Sequence, residues 1–121
     1  MIVIDSSALL WYLQGKNGWT SVEHALEEGG VCSATGWSEV ALKFRATGRD
    51  WSAARALLLS FGLVIESVTA EDAERAAERR FPEQALSLGG RLCLALGDRL
   101  DAPILTADPS LVVHERSVLI H

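Results

Sequence analysis

Short apolar runs that stop abruptly, each followed by a stretch with helical spacing, constrain this chain most. "MIVI" ends at Asp5, "VCSAT" runs into a helical segment, "LVIESV" ends before one, and "APILTA" ends at Asp108. A continuous apolar run of four or so residues fits a strand buried on both faces, not one with a wet side. The segments between the runs have apolar residues three and four apart: "SSALLWYL", "GWTSVEHALEEGG", "TGWSEVALKFRATGRD", "DWSAARALLLSFG", "TAEDAERAAERRF" and "LSLGGRLCLALGDRL". Strands alternating with helices predict an α/β fold, a parallel sheet with both faces covered. "SVLI" is a candidate fifth strand.

Helix punctuation supports these boundaries. Asp5, Ser6 and Ser7 offer caps for a helix through about Leu13. Thr69 with Asp72 three residues on makes a capping box, and Pro82 ends that helix. Ser87 caps the last long helix, which runs to about Leu100. There is no internal repeat, low-complexity tract or linker, so residues 1–121 are expected to form a single domain.

With 121 residues, 49% of them hydrophobic, the chain has material for a packed core. Its formal charge of −5 has the wrong sign for field-driven binding of a polyanion. Contact with nucleic acid would need local basic patches or bound cations. Cys32 and Cys93 lie far apart in apolar surroundings, as buried free thiols of a reducing compartment do. The opening apolar run lacks a basic leader, and no run is long enough for a membrane span. The expectation is a cytoplasmic protein without membrane attachment.

In open parallel sheets, sites form beyond the carboxyl ends of the strands. Asp5 and Asp108 both fall there, and Glu39 sits early in the helix after "VCSAT". Each has a bland alternative. Asp5 can cap a helix. Asp108 before Pro109 is a standard helix start. Glu39 can pair with Lys43 one turn on, although Gly36 three residues earlier rules out a capping box. Clustered carboxylates repel one another, and a hard cation such as Mg²⁺ or Mn²⁺ relieves that repulsion. Ser6, Ser7 and Thr106 flank these acids and can orient them, capping being the simpler role for Ser7.

The segments "MIVIDSSALLWYL", "WSEVALKF" and "LSLGGRLCLALGDRLDAPILTAD", in this order, resemble the PIN-domain toxins of toxin–antitoxin modules, the VapC-like ribonucleases. The resemblance implies a PIN-like three-layer α/β/α sandwich with a mostly parallel central sheet. It implies an endoribonuclease that uses Mg²⁺ or Mn²⁺ and cleaves tRNA, rRNA or mRNA. It further implies a homodimer and an antitoxin partner. Carried over by position, the acidic residues are Asp5, Glu39 and Asp108. The family's remaining aspartate belongs just before the arginine of "LSLGGR", where this chain has Gly90.

No nearby acid replaces it in sequence. Asp98 is two helical turns away, Asp101 farther, and Glu83 precedes the helix. Gly89 and Gly90 together fill a first helical turn that gains nothing in folding from glycine. An impaired nuclease is therefore expected, with Gly90 either natural or a deliberate replacement that made a toxic protein tolerable; the good match of the surrounding helix favours replacement.

Arg45, Arg49, Arg79, Arg80 and Arg91 are candidates for RNA phosphates, Arg91 first because it adjoins Gly90. Trp11, Tyr12, Trp19, Trp37 and Trp51 can stack on bases or, more simply, bury area; Trp11 and Tyr12 are candidates for a protein-binding surface. His24, His114 and His121 have no ligand spacing. Two rivals remain: a catalytically inactive binding module of the same fold acting through protein partners, and a phosphotransfer enzyme with Asp5 as nucleophile. The second lacks the further early acids that such enzymes carry.

Overall fold

The computed structural model describes residues 1–78, 86–113 and 116–120. Arg79, Arg80, Pro82, Glu83, His114 and His121 lie outside the described residues.

Five strands form one sheet: β1 (Ile2–Ile4), β2 (Gly30–Ser33), β3 (Val64–Glu66), β4 (Ile104–Thr106) and β5 (Ser117–Leu119). Their order is β3-β2-β1-β4-β5, and every adjacent pair is parallel. The sheet is thus wholly rather than mostly parallel. The helices are α1 (Ser6–Leu13), α2 (Trp19–Glu27), α3 (Ala34–Ala46), α4 (Trp51–Ser60), α5 (Ala70–Glu78) and α6 (Leu88–Leu100); a 3₁₀ turn spans Pro109–Val113. None is long and apolar enough to cross a membrane among the described residues.

The unbroken apolar runs have a direct structural cause. Register pairs Val3 with both Val31 and Ile104, and Ile4 with Leu105. Val3, Val31 and Ile104 face one side and pack with Cys93, Leu94 and Leu96 of α6. Ile4, Cys32 and Leu105 face the other and pack with Leu9, Val22, Leu26, Val40, Phe44 and Leu58 from α1 to α4. Alternate residues therefore serve two cores, and no strand position in these three central strands is left for a polar side chain until the carboxyl end.

Caps start the helices. Asp5 accepts from the Ser7 N–H at 3.3 Å, Ser33 from Gly36 at 3.0 Å and Ser87 from Gly90 at 3.1 Å. Thr69 and Asp72 exchange the two bonds of a capping box, at 3.0 and 3.2 Å. Asp72 also receives Arg99 Nε at 2.9 Å, and Arg99 reaches the Ser67 carbonyl at 3.3 Å. One guanidinium so joins α6 to the start of α5 and the loop after β3.

Candidate metal centre at the carboxyl edge of the sheet

β1 and β4 are parallel neighbours, so the residues after them leave the sheet at the same edge. Asp5 follows β1 directly and is buried. Its Oδ2 accepts from Ser7 Oγ in a very short bond and from Thr106 Oγ1 at 3.1 Å. Ser7 Oγ and Thr106 Oγ1 are themselves 3.1 Å apart. Two hydroxyl protons therefore serve three close contacts.

The backbone decides where those protons go. The N–H of Ala107 donates to Ser7 Oγ at 2.9 Å, and that of Asp108 to Thr106 Oγ1 at 2.9 Å. Each hydroxyl oxygen thus accepts from a backbone N–H, and because a carboxylate oxygen only accepts, each hydroxyl donates to Asp5. The arrangement fixes the orientation of Asp5 from two chain segments, 5–7 and 106–108. Ser7, assigned by its sequence position to capping, is part of this network. Ser6 is buried beside α3, its Cβ facing Gly36.

Asp108 lies two residues beyond β4. Its Oδ1 accepts from the Ser110 N–H at 3.0 Å and Ser110 Oγ at 2.8 Å. It starts the 3₁₀ turn, as the Asp-Pro signal indicates, and is tied to Asp5 through Thr106. One of its oxygens is thereby committed to local structure.

Glu39 is in the second turn of α3, with its carboxylate lying over the first turn of α6. A Cβ built on Gly89 would come 1.9 Å from Glu39 Oε1 and 2.9 Å from Cδ. Burial pushes the Glu39 carboxyl up, Lys43 opposes that shift, and the negative charge of Asp5 adds to it. Lys43 and Asp5 thus act on Glu39 in opposite directions.

The same charges act on the thiols. Burial first, then Asp5 and Glu39, raise Cys32 to about 12. Burial followed by Asp5 and Cys32 raises Cys93 as well, so both remain buried, protonated and free.

The two glycines in the first turn of α6 differ here. A side chain at Gly89 would displace the end of Glu39. Gly90 has room: a Cβ there meets Ser87 Oγ at 3.5 Å and Leu111 Cδ2 at 3.7 Å, ordinary contacts. Its position faces the Ser87 cap and the 3₁₀ turn that Asp108 begins. Arg91, the next residue, is half-buried. Of the acids set aside in the sequence, Asp98 and Asp101 are engaged elsewhere, with Arg116 3.4 Å from Asp98 and 2.8 Å from Asp101.

Among the described residues, no three His, Cys, Asp or Glu side chains stand together as a metal-holding group. Two carboxylates that repel each other at one buried edge still fit a hard cation. Mg²⁺ is typically held by one or two carboxylates, with waters and substrate phosphate completing its shell. The donor set is all oxygen, which suits Mg²⁺ or Mn²⁺ rather than a thiolate-seeking metal.

The aromatic residues are committed largely to one another. Trp37 and Trp51 meet edge-on at 5.1 Å, and Tyr12 lies 6.2 Å from both Trp19 and Phe61. Beyond the carboxyl edge, at the far ends of α1 and α3, a cleft of ≈ 650 Å³ opens among Tyr12, Leu13, Trp19, Phe44 and Leu57, with Arg49 and Asp50 at its side. Arg49 there stacks over Phe44 at 4.9 Å and donates to the Leu13 carbonyl at 3.4 Å. Arg49, a candidate for RNA phosphates in the sequence, lines this cleft.

No curated protein matches the chain. Among solved structures, it is similar to a chain of a toxin–antitoxin complex from Klebsiella pneumoniae: 20% identity, TM-score 0.77, covering 100% of this chain and 98% of that one. It is similar to Mycobacterium tuberculosis VapC20, a sarcin–ricin loop cleaving toxin, at 19% identity and TM-score 0.73, covering 93% and 94%. The third is VapBC2 from Rickettsia felis bound to a promoter DNA fragment, at 12% identity and TM-score 0.75, covering 98% and 97%. These likenesses concern the fold. The PIN domain model matches residues 2–115, nearly the whole chain, and the chain belongs to the PIN domain family.

Proposed function

We propose that this chain is the toxin component of a toxin–antitoxin pair, an endoribonuclease dependent on Mg²⁺ or Mn²⁺ and weakened by Gly90 at the place of an aspartate. The observation that carries the reading is the pair of Asp5 and Glu39. They come from separate elements, repel each other at one buried edge, and one of them is held by Ser7 and Thr106. Capping of α1 accounts for Asp5 but not for bringing a second acid toward it, and such a pair suits a cation and a phosphate. Support also comes from the solved structures of like fold, one described as a toxin–antitoxin complex, one as a sarcin–ricin loop cleaving toxin and one as VapBC2 bound to promoter DNA.

In this reading Asp5 and Glu39 hold the cation, with Asp108 and an aspartate at position 90 completing the acidic edge in a competent form. When bound, the cation supplies charge neutralisation and makes water easier to deprotonate. The hydroxyls of Ser7 and Thr106 keep Asp5 in one orientation. Arg91 offers positive charge to an RNA phosphate beside the acids. The partner is an antitoxin docking an apolar segment in the Tyr12–Trp19–Leu57 cleft, and the assembly is a homodimer in the cytoplasm.

The test is a paired assay of this chain and its Gly90→Asp form on total RNA, with and without chelator. The expected result is cleavage by Gly90→Asp that chelator abolishes, with the parent at least about tenfold slower. One missing charged ligand costs upward of ~1.4 kcal/mol. One observation favours a second reading, an inactive PIN-fold binding module: no three-ligand group forms among the described residues. An inert Gly90→Asp form would select that module and discard the nuclease.

A further inference from the structure

Gly89 lies against the Glu39 carboxylate across the α3–α6 contact. A Cβ at position 89 would overlap Oε1 at 1.9 Å and crowd Cδ at 2.9 Å and Oε2 at 3.4 Å. All three carboxylate atoms lie against a face of α6 that is bare only because residue 89 is glycine. The adjacent Gly90 meets nothing so close, so bareness at 89 is not a general property of this turn.

Helix chemistry makes the glycine costly. The second position of a helix favours residues other than glycine, and alanine there stabilises by reducing the freedom of the unfolded chain. The displaced group would be the far end of a flexible side chain. An added methyl would therefore move Glu39 rather than unfold the domain.

We infer that Gly89 is a positioning residue: its missing side chain lets the Glu39 carboxylate rest on α6 and be held beside Asp5. The inference deepens the metal-centre reading and rests on it for the consequence in cation binding. The placement of Glu39 itself is testable without that reading.

The experiment has two arms. In the first, thermal melts compare Gly89→Ala in the parent and in a Glu39→Ala background. Without the Glu39 carboxylate, the alanine should raise Tm by about 3–6 °C. With it, the gain should be smaller or absent, because Glu39 must move. An equal gain in both backgrounds overturns the inference. In the second arm, Mn²⁺ is titrated by calorimetry into the Gly90→Asp form with and without Gly89→Ala. The expected result is affinity at least about tenfold weaker in the alanine variant, with Tm not lowered, a pattern a merely structural glycine would not give. Unchanged Mn²⁺ affinity overturns the positioning role. If Gly90→Asp binds no Mn²⁺ at all, the metal-centre reading fails, and the melts alone decide whether Gly89 sets the place of Glu39.

Discussion

Thr106 concentrates more of the candidate site than any other single residue. It is fully buried, donates to Asp5 Oδ2 at 3.1 Å, and accepts the Asp108 N–H at 2.9 Å. Replacing its hydroxyl by a methyl, Thr106→Val, leaves that N–H without its acceptor and removes a donor from Asp5. The expected cost is about 1–3 kcal/mol in urea unfolding, with Thr106→Ser close to the parent. In the Gly90→Asp form, Thr106→Val should also slow RNA cleavage, because Asp5 loses one of the groups that orient it. Residue-scale legibility was uneven. Asp5, Glu39 and Asp108 are visible in the sequence because acids end apolar runs or interrupt a helix face. The role of Ser7 was not, because a serine after an Asp reads equally well as a cap; only the meeting of β1 with the turn after β4 supplies its second partner. Likewise the difference between Gly89 and Gly90 depends on where α3 crosses α6, which spacing does not encode.

At the scale of elements, α6 is set by two close approaches. Near its end, Gly97 lies against β4, where a Cβ would come 2.6 Å from Ile104 Cδ1 and 2.8 Å from Cγ1. Gly97→Ala should destabilise by about 1–2 kcal/mol: overpacking against a buried strand outweighs the ~1 kcal/mol that alanine gains in a helix. Melting of that variant checks the sign. The other end of the contact is the Asp72–Arg99 bond, which joins α5 to α6. Burial would raise the Asp72 carboxyl, but hydrogen bonds from Arg99 and Thr69 outweigh it and hold Asp72 below the usual carboxylate range. A depressed folded-state value gives stability that is present above the unfolded pKa of about 3.9 and lost as pH falls through the folded one. Unfolding midpoints in urea should therefore drop as pH falls below about 4, and Asp72→Asn should flatten that part of the profile while lowering stability at pH 7 by about 1–3 kcal/mol. The capping box behind this pair was legible, since Thr69 and Asp72 have the spacing that defines it. Arg99 as its partner was not, since 27 residues separate it from Asp72 and nothing local distinguishes it from a solvated arginine.

For the whole molecule, the order β3-β2-β1-β4-β5 brings the ends of β1 and β4 side by side and puts α3 across from the start of α6. Alternation of apolar runs and helical segments was enough to anticipate a parallel sheet with two covered faces, because each run carries no polar residue until its carboxyl end. It could not rank the neighbours, so the meeting of Asp5 with Thr106, 101 residues apart, became visible only in the fold. The molecule thus places an acidic edge opposite an apolar cleft at the far ends of α1 and α3, a division suited to chemistry on one side and partner docking on the other. The central claim is that the acidic edge exists to bind a divalent cation and is one carboxylate short. Calorimetric titration of Mg²⁺ into the parent, the Gly90→Asp form and Gly90→Asp with Asp5→Asn tests it most directly. The account predicts weak binding by the parent, at least about tenfold tighter binding once the aspartate is present, and loss of that gain when Asp5 is neutralised. Equal affinity in all three chains would contradict it.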